Sequence, residues 1–262
     1  MGHQMGISGH SRALRAVILA CGLSWFGPAF SAGALNSPQA PDPVERSAEP
    51  FGLFASHLAG GGLLAKWQSV QRRLEDEMVQ LALCDGDPDR CASPAALQFL
   101  AIVDVARARN GRARLGEINR AINLAIRPMG DFEQYGEIDV WSSPLATLTR
   151  GAGDCEDYAI AKFIALQRAG VSPDDLRIVI MRDTIRGEDH AVAAARLDGH
   201  WLTLDNRRMA MVEDTNVRNH RPSFVLDRDG VRRYEEAPMP ALGDRNLASR
   251  AVSGYAMKMS PM

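Results

Sequence analysis

The sequence lacks a long apolar run near its start. The candidate there, Ala16 to Phe26, falls well short of the roughly 20 residues a span needs. It also lacks a basic excess. Thirty Lys and Arg stand against 32 Asp and Glu, a net charge of −2, so no electrostatic footprint for nucleic acid is present and the acidity is too slight to imply a partner. No internal repeat is visible, which sets aside repeat architectures. Cysteine is scarce, at four in 262 residues, and each one can be given a role.

Cys21 sits in the N-terminal apolar run. Arg12 and Arg15 precede that run, and Ala29, Ser31, Ala32 and Ala34 follow it. A basic start, a short apolar centre and a small-residue exit describe a Sec signal peptide over residues 1–32. A membrane anchor and a lipoprotein attached at Cys21 are the competing readings. Cys84 and Cys91 close a short loop, and an oxidising exported setting favours a disulfide between them. Asp85, Asp87 and Asp89 in that loop suggest a calcium hand. However, its sixth position would be Arg90 rather than Gly and its twelfth Ala96 rather than Glu, so that reading fails.

Cys155 remains. It follows Gly151-Ala152-Gly153-Asp154 and opens a helical pattern that buries Ile160, Phe163, Ile164 and Leu166 and stops at Gly170. Unpaired N–H groups and the helix dipole at such a start favour a thiolate. Upstream, residues 33–50 read as a disordered lead-in. Leu63 to Leu81 carries a helical apolar period, Ala95 to Arg107 forms a second helix, and a third ends before Pro128. Residues 129–152 read as loop.

Downstream, Arg177–Arg182, His190–Leu197 and His200–Asp205 read as strands, the last two joined by Asp198-Gly199. Asp-Gly predicts a two-residue hairpin with Leu197 opposite His200. His190 and Asp205 then share a face as diagonal neighbours, and His200 points the other way. Helices, a nucleophile helix and an antiparallel sheet predict an α+β domain. Cys155, His190 and Asp205 form a candidate nucleophile, base and orienter.

The blocks Gly153-Asp154-Cys155-Glu156-Asp157-Tyr158-Ala159-Ile160-Ala161-Lys162, Arg182-Asp183-Thr184-Ile185-Arg186, Asp189-His190-Ala191-Val192 and Leu204-Asp205-Asn206 resemble the bacterial transglutaminase-like cysteine proteinases. That family is best known for LapG-type periplasmic proteases that release biofilm adhesins. The resemblance implies a papain-like, transglutaminase-like fold over residues 51–236, while the Pro-, Met- and Ser-rich residues 237–262 read as a flexible tail to which it assigns no role. It implies the triad Cys155, His190 and Asp205, and calcium bound by Asp154, Glu156 and Asp157. It implies a large repeat-rich surface adhesin as substrate, and as regulator the periplasmic domain of an inner-membrane cyclic-di-GMP receptor. Two alternatives stay open: acyl transfer through the same triad, and a calcium-binding module without catalysis.

Overall fold

The computed structural model describes residues 47–235. The expected signal peptide, all but the end of the lead-in, and the C-terminal tail lie outside the described residues. The chain runs β1 (Ala55–His57), α1 (Gly62–Gly86), α2 (Pro94–Arg107), α3 (Gly111–Ala125), β2 (Arg127–Pro128), α4 (Asp131–Tyr135), α5 (Pro144–Arg150), β3 (Ala152–Gly153) and α6 (Cys155–Arg168). It then continues through β4 (Leu176–Asp183), β5 (Glu188–Leu197), β6 (His200–Leu204), β7 (Val212–Glu213), β8 (His220–Asp227) and β9 (Gly230–Tyr234). Helices first and an antiparallel sheet second make the α+β class.

Local chemistry accounts for the helices. α1 buries Trp67, Val70, Leu81 and Cys84 along one stripe, and Cys84 is joined to Cys91 by a disulfide. α2 starts at Pro94 behind Ser93, whose Oγ accepts the Ala96 N–H. Residues 129–152 depart from the loop expectation, because α4 and α5 lie within them. Pro144 occupies the first turn of α5, and Gly136 and Gly151 end the two helices in the left-handed region, at φ +70° and +67°. The Gly and Pro residues that suggested loop are therefore helix punctuation.

The main sheet has seven strands in the order β1-β9-β8-β4-β5-β6-β7, each pair antiparallel. Leu197 faces His200 and Ala193 faces Leu204, which is the predicted hairpin register. Ile178, Ala193, Leu202 and Leu204 join a core with α6 and the other helices. Val179, Met181, Val192, Trp201 and Val225 form a second core under Phe51, Leu53 and Val217. The last residues of the expected lead-in are docked: Glu49 pairs with Arg177 and Arg232, and Trp201 donates to the Ala48 carbonyl.

Every residue of α6 from Glu156 to Leu166 is buried, including two acids and Lys162. Helices lie on one side of α6 and the sheet on the other. Its polar groups therefore need a chemical reason to be there.

Candidate active site

Cys155 is the first residue of α6, and Asp154 is its N-cap in extended conformation. The Asp154 side chain makes no capping hydrogen bond, so a simple helix-cap role does not describe it. Gly153 is required by packing: a Cβ there would sit 2.8 Å from both Cβ and Oδ2 of Asp157. His190 begins the buried part of β5, and its Nε2 lies 2.9 Å from Oδ1 of Asp205. The same Oδ1 accepts the Arg207 N–H at 3.0 Å. Burial alone would raise the Asp205 carboxyl, but hydrogen bonding and attraction to His190 bring it down to about 2. Asp205 is thus a carboxylate at all physiological pH values. His200 is exposed at the start of β6 and lines a separate hollow.

With Nε2 turned to Asp205, Nδ1 is the ring atom left to act, and it is buried with no hydrogen-bond partner among the described residues. Cys155 and His190 line one cleft of about 650 Å³, together with Leu63, Phe132, Ile138 and Trp141. Phe132 and Ile138 are 72% and 81% exposed, large apolar groups held at the mouth of the cleft. The thiol does not face an acceptor on His190; Sγ donates to Oε2 of Glu156 at 3.1 Å. Burial first, and then the Glu156 charge, push the thiol pKa up.

A third acid joins the nucleophile turn. The parallel pair β2–β3 sets Arg127 beside Ala152 and Pro128 beside Gly153, and Met129 N–H donates to the Gly153 carbonyl at 3.0 Å. This brings Asp131 to the turn. One ligand oxygen each from Asp131, Asp154 and Glu156 lies within 4.8 Å of the others. Oδ1 of Asp131 and Oδ1 of Asp154 are buried without hydrogen-bond partners among the described residues. Burial, followed by repulsion from Glu156, raises Asp154 to about 9, and burial also raises Glu156 and Asp131. Three crowded carboxylates, two of them buried and Asp154 half-buried, offer the all-oxygen donor set that fits a hard divalent cation such as calcium.

Of the expected ligands, the structure gathers Asp154 and Glu156 but not Asp157. Asp157 is fully buried, accepts the Ser142 N–H at 2.8 Å through Oδ1, and is raised to about 7 by burial. Asp131 has no sequence signature, because the pairing that delivers it is two residues long and carries no periodic signal.

The sequence model of the family described as "Bacterial transglutaminase-like cysteine proteinase BTLCP" matches residues 76–221. Among solved structures, LapG from Legionella pneumophila is similar at 20% identity, covering 66% of this chain and 96% of that one, with a TM-score of 0.50. An EGTA-treated form matches at 19% identity over the same shares, with a TM-score of 0.50. A calcium-bound form matches at 22% identity over 60% and 89% of the two chains, with a TM-score of 0.48. No curated protein matches the chain.

Proposed function

The chain belongs to the bacterial transglutaminase-like cysteine proteinases and is a cysteine peptidase, and from that premise we propose that Cys155, His190 and Asp205 are its catalytic triad. The observation that supports this best is the 2.9 Å contact of His190 Nε2 with Asp205, His190 itself lining the same cleft as Cys155. Asp205 fixes the tautomer with hydrogen on Nε2, so bare Nδ1 is the base. Nδ1 takes the thiol proton as Sγ attacks the scissile carbonyl. The same proton then passes to the leaving amine as the peptide C–N bond breaks, leaving a thioester on Cys155. Water, deprotonated by Nδ1, hydrolyses the thioester and restores the thiol.

Asp131, Asp154 and Glu156 are the residues that would hold calcium. Bound there, calcium supplies positive charge that offsets three carboxylates next to the sulfur. Glu156 carries the consequence for the chain: its carboxylate holds the thiol through the 3.1 Å hydrogen bond, and a Glu156 serving as a metal ligand would no longer hold that thiol away from His190. The enzyme is proposed to be calcium-dependent for this reason.

The resemblance of the nucleophile, histidine and aspartate blocks to LapG-type proteases supports a biological setting. There the protein is exported to the periplasm, cuts a large repeat-rich surface adhesin near its N-terminus and so promotes biofilm dispersal. It is restrained by the periplasmic domain of an inner-membrane cyclic-di-GMP receptor. Among the described residues no helix is long and apolar enough to cross a membrane. Cleavage of the adhesin's N-terminal region, followed on a gel, tests the reading. The wild type should cut with calcium and stop in EGTA, and folded Cys155→Ala should not cut at all. A folded Cys155→Ala protein that still cuts would overturn it.

A further inference from the structure

Lys162 is a buried cation that the triad chemistry leaves unused. It lies seven residues after Cys155, two turns along the same face of α6, and is 0% exposed. A core helix position of this kind ordinarily holds an apolar side chain, and an ammonium there is costly unless a neighbouring group gains from it. Its Nζ donates to the carbonyl oxygen of Leu204 at 3.1 Å. Leu204 ends β6, and the next residue is Asp205.

The Leu204–Asp205 peptide is therefore fixed from the nucleophile helix itself. Asn123 of α3 holds the next carbonyl, that of Asp205, at 3.0 Å. The charges act in the same sense. Burial draws the Lys162 ammonium down to about 7 while Asp205 pulls it back up, and Lys162 is among the groups that lower Asp205. The groups that face His190 are Asp205 just past β6, Cys155 across the cleft, and His220 of β8 with ring centroids 6.0 Å apart. Tyr158, one turn back on α6, faces Lys162.

We propose that Lys162 is a positioning residue that anchors and charge-balances Asp205, and through it fixes the tautomer and tilt of His190. With Lys162 charged, a thiolate, an imidazolium, the Asp205 carboxylate and the ammonium sum to zero net charge in a buried site. Without it the same set carries an excess negative charge beside the developing thiolate. The proposal rests on the Cys155–His190–Asp205 reading, and its test examines the imidazole directly, so the two can fail separately.

The test is Lys162→Met in the full-length chain. Met matches the length of the stem and suits an apolar site, so the melting temperature should hold or rise. Two other readouts should change. The Nε2–H proton resonance of His190 should exchange faster with water. Alkylation of Cys155 by iodoacetamide, read on its peptide by mass spectrometry, should slow roughly tenfold to a hundredfold. In an Asp205→Asn background, Lys162→Met should add nothing further, as expected of a residue acting through Asp205. A stable Lys162→Met protein with an unchanged Nε2–H resonance and unchanged alkylation would overturn the proposal. Should Lys162→Met fail to fold, Lys162→Gln is judged by the same two readouts. A protein in which His190→Ala leaves alkylation untouched would sink the triad reading, while the proton resonance still reports on Lys162.

Discussion

The Glu156 carboxylate accepts the Cys155 thiol at 3.1 Å and also stands in the acidic group with Asp131 and Asp154. Its two engagements compete. Asp131→Asn should weaken calcium binding by at least roughly tenfold in a calorimeter, as loss of a charged oxygen ligand does. Unchanged affinity would remove Asp131 from the site. Since burial and repulsion from Glu156 keep Asp154 protonated up to about 9, calcium must displace that proton. Affinity should therefore rise with pH, and titrations in buffers of different ionisation enthalpy should reveal proton release. His190→Ala should lower the rate by about three or more powers of ten, the scale of a lost triad member. His200→Ala, at an exposed position, should be mild, and the reverse ranking would place the base wrongly.

At the scale of elements, the nucleophile turn is held by close packing as much as by hydrogen bonds. Gly153→Ala would set a Cβ 2.8 Å from Asp157 and 3.1 Å from Thr147 Cγ2. Overpacking of this kind costs about 1–3 kcal/mol, and it should also move β3 and loosen calcium binding. Chemical denaturation beside calorimetry would check both effects, and an equally stable variant would contradict the packing argument. The hairpin shows what was legible in the sequence. Asp198-Gly199 set the register, and register alone separated His190 from His200. Cys155 was legible because a polar turn precedes a helical apolar period. Asp131 was not, since two paired residues in β2 and β3 leave no pattern. Lys162 lies in the same sequence block as Cys155, but its meaning depends on where β6 ends, which only the tertiary fold decides. α4 and α5 were missed because their short length lets the capping Gly and Pro residues dominate the composition.

For the whole molecule, buried acids tie stability to pH. The folded Asp157 and Asp154 carboxyls stay protonated up to about 7 and about 9, whereas an unfolded aspartate titrates near 3.8. Between those values the folded state binds more protons than the unfolded state, so these groups make stability fall as pH rises. In EGTA the melting temperature should decline from mildly acidic to mildly alkaline pH, and saturating calcium should flatten or reverse that slope. A calcium-free protein whose stability climbs with pH through that window would contradict the assigned proton-holding groups. In the proposed mechanism Cys155 works with His190, and calcium binding frees it from Glu156. The most direct measurement is the rate of iodoacetamide alkylation at Cys155, followed by mass spectrometry with calcium and with EGTA. Wild type, His190→Ala and Glu156→Gln would be compared. The wild type should react faster with calcium, His190→Ala should lose most of that reactivity, and Glu156→Gln should be nearly indifferent to the ion. Equal rates in all six conditions would contradict the account.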